Sequence, residues 1–371
     1  MATPKVSGQR SATHQLAIKE LFDGLTKREK LYTHHLARAA WHGGRIILRQ
    51  TSPEGTGIFD FILELQKACG GQWKWLVDQC GVKPDELDRF LEFSGLFLSN
   101  MGNYFGEGDR KVVPDVSADA LHRMASISPD TVTALKKIID PMLSVPPFSL
   151  GFSDGAHQSN YYPGEERITK DEIAAVAKVM EYHSIEAENT RIRKVRDGTK
   201  PAFDILQASA ETTTIINQLG GDGFGATIRL RRGDHAAAMS KICSALIEAA
   251  KYAASDKQAT LLAEYVESFS TGSLTAYRKS QKTWVTDVSP KVENFLGFVE
   301  PYRDPYGVRA EWEGAVCISD PDETNKLKAL VDGSTKFIRM LPWAVPGEND
   351  GKGPFEASLF QAPDFTIVHG R

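Results

Sequence analysis

Four glutamates lie close together between residues 293 and 313, with aromatic residues between them. The glutamates are Glu293, Glu300, Glu311 and Glu313, and the aromatic residues include Tyr302 and Trp312. If residues 298–302 are extended, Phe298, Glu300 and Tyr302 point to the same side, because side chains alternate along a strand. A carboxylate there can bind the α-ammonium group of a peptide, and a tyrosine hydroxyl can stabilise a developing oxyanion. The alternative is a solvated acidic face with an aromatic pair, and these residues alone leave both interpretations open.

The nine histidines form no recognisable zinc motif. None is followed by Glu, which removes the His-Glu-x-x-His class, in which two histidines on one helical face bind zinc. His35 and His42 are two helical turns apart, but Arg38 and Trp41 between them favour a partly buried packing helix over a metal site. The sequence therefore predicts no metal ligands and no cofactor in this chain.

A glycine-rich segment, residues 220–225, could cradle an anion with its backbone amides. A dinucleotide fingerprint needs a strand before the glycines and a helix directly after them. Here the following residues, Ala226 to Arg231, alternate like a strand. The segment is therefore predicted to be a hairpin or interlobe loop.

These residues must be positioned by the elements around them, and the first 145 residues have helical periodicity. Apolar positions from 14 to 50 fit two helices, which Gly43-Gly44 would interrupt. Further helices are predicted at Ile58–Cys69, Trp73–Cys80, Pro84–Ser99, Ala118–Ser126 and Thr131–Leu143. Residues 1–13 are polar and are expected to be disordered.

From residue 146 the pattern is mixed. Thr169 and Glu172 have the spacing of a capping box and predict a helix to about His183. Two further helices are expected from about residue 234 to 254 and from 261 to 277. Strands are predicted at Thr190–Val195, Ala202–Ala208, Ala226–Arg231, Phe295–Val299 and Gly314–Ile318. The expected fold class is α+β.

The amino-acid composition limits the classes of function that fit this chain. The chain has 371 residues, 41% of them hydrophobic and 25% charged, and a net charge of -4 gives no attraction to nucleic acid or anionic membranes. It has no apolar run of about eighteen residues and no signal peptide. Its four cysteines are scattered without a Cys-x-x-Cys pair, which suits a reducing compartment. We expect a cytoplasmic monomer with no nucleic-acid or membrane partner.

Short motifs along nearly the whole chain resemble the N-terminal half of dipeptidyl peptidase III, a zinc metallopeptidase family. In order they include Arg28–Tyr32, Gln50–Glu54, Ser99–Tyr104, Glu188–Arg191, Arg232–Asp234, Tyr265–Phe269 and Tyr302–Pro305. The resemblance implies a cytosolic exopeptidase that releases dipeptides from the N-termini of oligopeptides. It also implies two lobes around a wide cleft. An unrelated helical scaffold would require the ordered motifs to be coincidence.

The resemblance also implies roles for the acidic cluster. Glu300 matches the position that holds the free N-terminus of the substrate, and Tyr302 matches the catalytic residue that assists the tetrahedral intermediate. Glu311 and Glu313 are implied to line the same cleft wall and bind substrate. Short peptides with a free N-terminus are therefore the expected partners.

Zinc is the cofactor that the resemblance implies for the full-length family, held by a His-Glu-x-x-Gly-His helix and a downstream Glu. This chain has no such motif and departs from the family pattern after Thr366. We therefore expect a truncated form that is inactive alone. The alternative is a non-enzymatic peptide-binding or regulatory fragment.

The same resemblance divides the chain into segments. Residues 1–13 are the disordered N-terminus, and residues 14–145 are the helical part of the lower lobe. Residues 146–319 are expected to hold the α+β part, an incomplete five-stranded β-barrel. Residues 320–371 would be the truncated start of the upper catalytic lobe, with a divergent tail.

Overall fold

The computed structural model describes residues 5–6, 18–105, 110–144, 159–198, 200–212, 217–219, 226–351, 353 and 366–368. Helices and strands both occur throughout these ranges, which confirms the mixed α+β class. Among the helices described, none combines the length and the apolar character that a membrane span requires. The glycine-rich segment 220–225 and the rest of residues 1–13 beyond Lys5–Val6 lie outside the described residues.

The N-terminal third is a stack of helices with one small sheet. The helices are α1 (Lys19–Asp23), α2 (Lys27–Thr51), α3 (Gly55–Ala68), α4 (Lys74–Cys80), α5 (Pro84–Asn100), α6 (Ala118–Ala125), α7 (Pro129–Lys136) and α8 (Ile139–Leu143). Strand β1 (Lys5–Val6) pairs in parallel with β2 (Val112–Val113), so the prediction of an all-helical region was wrong at this point. The two valines of β2 are buried and β-branched, which favours an extended backbone there.

Two boundary predictions in this region were also wrong. The segment Thr131–Leu143 forms two helices, because the ring of Pro141 in one continuous helix would clash with the carbonyl of residue 137. Helix α2 runs unbroken through Gly43-Gly44. A Cβ at Gly43 would lie 1.6 Å from Trp312 Nε1, so this glycine allows close packing and does not end the helix.

The second region is a four-stranded sheet covered by one helix. The helix is α9 (Lys170–Tyr182), and the strands are β3 (Thr190–Asp197), β4 (Lys200–Ala208), β5 (Asn217–Gln218) and β6 (Thr227–Asp234). Thr169 and Glu172 form the predicted capping box at the start of α9, which is confirmed. The strand order is β3-β4-β6-β5, with β4 and β6 parallel and the other pairs antiparallel.

The third region combines helices with a three-stranded sheet. Its elements are α10 (Ala236–Ala250), α11 (Asp256–Thr271), α12 (Leu274–Trp284), β7 (Val292–Phe298), β8 (Trp312–Ser319), α13 (Pro321–Asp332), α14 (Ser334–Ile338) and β9 (Thr366–Val368). The helix expected from 261 to 277 ends at Thr271, because Gly272 adopts the left-handed conformation with φ of 81°. The described strands form sheets of two, four and three strands without a closed barrel, so the five-stranded barrel stays a prediction.

Buried side chains gather in three clusters, one for each region. The cluster that concerns function joins α2 to α10, α11 and the β7-β8 hairpin. Its members include Leu36, Ile46, Leu246, Tyr265 and Trp312. Long helix α2 is therefore packed directly against the strands that carry the acidic residues of the sequence motif.

Candidate functional site

A groove of about 750 Å³ opens between α2, the end of α5 and the β7-β8 hairpin. Its lining contains both apolar and polar side chains. The apolar residues include Trp41, Ile47, Leu96, Met101, Phe105 and Phe295, and the polar residues include Tyr302, Arg303, Glu311 and Glu313. A concave site with apolar lining and a few convergent polar groups is the usual form of a small-ligand site.

The structure brings the four predicted site residues together, but residues 298–302 do not form the continuous extended segment that was considered for Phe298, Glu300 and Tyr302. Strand β7 ends at Phe298, and Pro301 lacks the N–H that a continuing ladder would need. Beyond Phe298 the chain still lies beside the residue that precedes β8, because the carbonyl of Glu300 accepts a hydrogen bond from the backbone N–H of Glu311 at 2.8 Å. Tyr302 follows in a loop with its side chain half exposed. We call Glu300, Tyr302, Glu311 and Glu313 the acid wall.

Glu293 belongs to the same sequence cluster but lies away from the groove. Its carboxylate accepts a hydrogen bond from Trp284 Nε1 at 2.7 Å. It lies on β7 opposite Cys317 and is partly buried. This contact gives Glu293 a structural role apart from the acid wall.

The conformation of the acid wall depends on Arg303, which the sequence did not single out. Its guanidinium group is buried and donates to Glu311 Oε2 at 3.1 Å and to Thr51 Oγ1 at 3.0 Å. It also donates to the carbonyl of Asn100 at 3.0 Å. One side chain thus joins the end of α2 and the end of α5 to the acid wall. The planar donor fork of arginine makes several such bonds from one position.

The loop that follows Arg303 is held by Asp304. One carboxylate oxygen accepts from the backbone N–H groups of Val308 at 3.1 Å and Arg309 at 2.9 Å. The other accepts from the hydroxyl of Tyr162 at 2.7 Å and from the N–H of Tyr306 at 3.0 Å. A buried aspartate that satisfies several donors fixes a loop in one conformation. The preceding residues, including Tyr302, are therefore presented from a rigid base.

The start of β8 is anchored to α2 by Gln50. The side chain of Gln50 donates to the carbonyl of Ala310 at 2.9 Å and accepts from the N–H of Trp312 at 2.9 Å. These two bonds flank Glu311 on both sides. They hold the glutamate against the groove without touching its carboxylate.

Burial has the largest effect on the pKa of the Glu311 carboxyl. It raises the pKa of the Glu311 carboxyl to about 7, and the negative charge of Glu313 also raises it, while Arg303 lowers it. The second carboxylate oxygen, Oε1, is buried without a hydrogen-bond partner. A buried acceptor that lacks a donor is costly when the carboxylate is ionised, which agrees with the raised pKa of this carboxyl.

The carboxylate of Glu300 affects the pKa of Tyr302. A hydrogen bond with the Glu300 carboxylate, followed by its negative charge, raises the pKa of the Tyr302 phenol. The phenol is protonated at neutral pH and donates its hydrogen to the Glu300 carboxylate. Both side chains are exposed on the edge of the groove.

The described residues do not fit a zinc site. Within those ranges, no three His, Cys, Asp or Glu side chains converge in a way that could hold a metal ion. His35 instead stacks on the ring of Tyr252, with centroids 5.7 Å apart, and contacts His34 edge-on. Zinc needs at least three protein ligands in a catalytic site, so no step through zinc follows from these residues.

Comparison with known proteins identifies the family. Residues 134–370 match Peptidase family M49. The chain belongs to this family. It is 36% identical over 363 residues to dipeptidyl peptidase 3 of Dictyostelium discoideum, covering 96% of this chain and 49% of that protein. It is 32% identical over 370 residues to the Homo sapiens protein of the same name, covering 95% and 49%. The M49 chain thus spans about half the length of the curated relatives it matches.

Two solved structures have a fold similar to that of this chain. The M49 chain matches DPP III from Caldithrix abyssi with a TM-score of 0.50 at 16% identity, covering 89% of this chain and 47% of that one. It matches dipeptidyl-peptidase III from Corallococcus sp. strain EGB with a TM-score of 0.52 at 19% identity, covering 91% and 47%.

Proposed function

We propose that the M49 chain binds short peptides by their free N-terminus at the acid wall, as the substrate-binding part of a dipeptidyl peptidase III-like peptidase. Membership of a peptidase family supports this function, as do the names of its relatives. The observation that carries it is the convergence of Glu311, Glu313 and Tyr302 on one groove, with Glu300 beside Tyr302.

The chemistry of the acid wall matches a peptide ammonium group. An α-ammonium group has hydrogen-bond donors and no acceptor, and Glu311 lines the groove with a carboxyl group. Glu300 and Glu313 add negative charge around it. Apolar lining residues such as Trp41 and Phe295 provide contact surface for the side chains of the peptide.

Tyr302 is proposed to stabilise the tetrahedral intermediate in an enzyme that also holds the zinc ligands of the family. A phenol that stays protonated can donate to a developing oxyanion. Zinc, when bound, would activate the attacking water. The described residues supply no ligand set for it, so the proposed activity of the M49 chain alone is binding without hydrolysis. A cytoplasmic location remains part of this proposal.

Isothermal titration calorimetry with two tetrapeptides tests the binding proposal. One tetrapeptide has a free N-terminus and the other is N-acetylated but otherwise identical. We expect the free peptide to bind and acetylation to weaken binding at least tenfold, since a charged hydrogen bond is worth about 1.5–3 kcal/mol. Glu300→Gln should weaken binding of the free peptide, while Glu20→Gln, at an exposed glutamate of α1, should not. Equal affinity for both peptides would contradict the proposal.

The alternative is a non-enzymatic peptide-binding or regulatory role. The absence of a metal-ligand cluster from the described residues favours it. Both roles predict that this chain alone binds peptide without releasing dipeptides, so zinc-dependent release of dipeptides by this chain would contradict both. Dipeptide release after addition of a polypeptide that carries the zinc ligands separates them, because only a substrate-binding part of a peptidase would then support hydrolysis.

A further inference from the structure

A second cavity, of about 350 Å³, opens on the polar face of the sheet formed by β3, β4 and β6. Its lining includes Arg191, Arg193, Arg231 and Arg232, together with Asp234. We call it the arginine pocket. It shares no lining residue with the groove that carries the acid wall. The pocket is therefore a separate feature, and an inference from it does not depend on the peptide proposal.

The strand register explains how the arginines gather. Arg191 and Arg193 are two residues apart on β3, as are Arg229 and Arg231 on β6, so each pair points to one face of the sheet. Arg193 pairs across the sheet with Asp204 of β4, and Asp204 pairs with Arg229. The result is a face with arginines from two strands around one buried aspartate.

Some of these charges are already compensated. Arg191 donates through Nε and Nη2 to both carboxylate oxygens of Asp234, at 2.7 and 2.6 Å. Asp204 is shared between two pocket arginines. Arg193 Nη2 donates to one of its oxygens at 2.8 Å, and Arg231 Nε lies 3.0 Å from the other without a hydrogen bond. One carboxylate cannot neutralise two guanidinium groups, so the pocket keeps a positive charge.

Hydrogen-bond donors also remain without acceptors. The Nε atoms of Arg193 and Arg231 are buried and donate no hydrogen bond. Arg232 is exposed, and its side chain has neither an ion pair nor a hydrogen bond within the described part of the chain. Unsatisfied buried donors and neighbouring like charges both cost folding free energy. An anion in the arginine pocket would relieve the repulsion between the like charges.

We propose that the arginine pocket binds a phosphate group carried by a small molecule. The guanidinium fork matches phosphate oxygens in a bidentate geometry. A phosphate monoester carries a charge of about -1.5 to -2 at neutral pH, which suits more than one uncompensated arginine. A carboxylate has a single charge and would leave part of the positive charge unpaired.

Titration with inorganic phosphate tests this proposal. The full chain is titrated by calorimetry at constant ionic strength, with chloride and acetate as reference anions. We expect saturable phosphate binding with a stoichiometry of one, and a phosphate-dependent rise in the midpoint of thermal unfolding. The double variant R231A/R232A should bind phosphate at least tenfold more weakly, since hydrogen bonds to charged groups are each worth about a factor of ten or more.

Two single variants keep the test interpretable if the double variant folds poorly. Arg232→Ala removes an exposed guanidinium group from the pocket and should weaken binding several-fold. Arg196→Ala removes an exposed arginine from β3, where it pairs with Glu166 outside the pocket, and should change affinity by less than about twofold. Equal weakening by both variants, or a phosphate signal no larger than that of chloride, would overturn the proposal.

Discussion

The Arg303–Glu311 pair determines the charge state of the acid wall. Both side chains are about 5% exposed, so their attraction is not strongly screened by solvent. Arg303 lowers the pKa of Glu311, but burial raises it more, and the pKa is about 7. Glu311 therefore changes its charge close to physiological pH. Peptide binding at the acid wall should follow that change.

Stability should fall as Glu311 ionises. The folded chain keeps the Glu311 proton up to a pKa of about 7, whereas the unfolded chain releases it near the ordinary value of 4.5. The folded state thus binds more protons between these values, and the unfolding free energy decreases as pH rises through them, by about 3 kcal/mol from this group. Glu311→Gln should flatten that part of the curve, measured by urea unfolding from pH 4 to 8. An unchanged slope would contradict the assignment.

Peptide affinity should have the opposite dependence on pH. Ionised Glu311 attracts the peptide ammonium group, which itself stays protonated up to about pH 7.7–8.0. Affinity for a free-N-terminus tetrapeptide should therefore rise from pH 6 to about pH 7.5, measured by calorimetry. In Glu311→Gln this rise should be lost, and an identical rise in the variant would place the titrating group elsewhere.

Removal of Arg303 should destabilise the fold. Arg303→Met leaves a buried carboxylate without its cation, which costs about 3–5 kcal/mol when the carboxylate is ionised. The loss should be smaller at pH 5, where Glu311 is protonated. Arg278→Met is the matched control, because Arg278 is more than half exposed and its ion pair with Glu186 contributes less than about 1 kcal/mol. Urea unfolding of both variants at pH 5 and pH 8 makes the comparison.

The sequence could predict part of the site at this scale. Glu300 and Tyr302 could be selected because their chemistry suits a peptide terminus and their motif resembles a known family. Arg303 could not, since its partners Thr51 and Glu311 are 252 and 8 residues away along the chain. Such contacts exist only once the chain has folded. The Tyr302–Pro305 motif contained Arg303 and Asp304, but it gave no sign of which groups they contact.

At the scale of elements, α2 and β8 are packed more closely than ordinary side chains would allow. Gly43 faces the indole of Trp312, and Gly314 lies against Ala40, where an added Cβ would be 3.1 Å from the Ala40 Cβ. This close approach lets Gln50 reach both sides of Glu311. The position of the acid wall therefore depends on the two glycines.

A substitution at Gly43 tests this packing. A Cβ there would overlap the Trp312 indole, so Gly43→Ala should destabilise the fold by about 1–3 kcal/mol and change the tryptophan fluorescence. Gly44→Ala is the control in the same helix, because its Cβ meets only the flexible end of Met101 at 3.0 Å. That variant should be neutral or gain up to about 1 kcal/mol from helix propensity. Equal effects of the two substitutions would show that the packing is not specific.

Local patterns predicted elements well where local chemistry determines them. The capping box of Thr169 and Glu172 correctly marked the start of α9. The same local logic failed at Gly43-Gly44, which looks like a helix break but serves a contact with Trp312, far away in sequence. It also missed β1 and β9, since each is very short and is defined by its pairing with a distant strand.

At the scale of the whole molecule, the acid wall and the arginine pocket lie in different sheets and have opposite charge. The first is built on β7, β8 and the loop between them, the second on β3, β4 and β6. One suits a cationic peptide terminus and the other an anion. The net charge of the chain is -4, but these two sites produce local electric fields of opposite sign.

Metal content is a further prediction for the whole chain. The described residues hold no ligand cluster, and no histidine of the sequence is followed by Glu, so we expect no stoichiometric zinc after dialysis. Elemental analysis of the purified chain measures this. One zinc per chain, retained against dialysis, would show a ligand set in the residues outside the described ranges.

The most direct test of the central proposal is a crystal structure of this chain with a free-N-terminus tetrapeptide. We predict that the ammonium nitrogen lies at the acid wall within hydrogen-bond distance of Glu300, with the peptide side chains in contact with apolar lining residues such as Trp41 and Phe295. A peptide bound elsewhere, or bound in the groove with its N-terminus pointing away from the acid wall, would contradict the account.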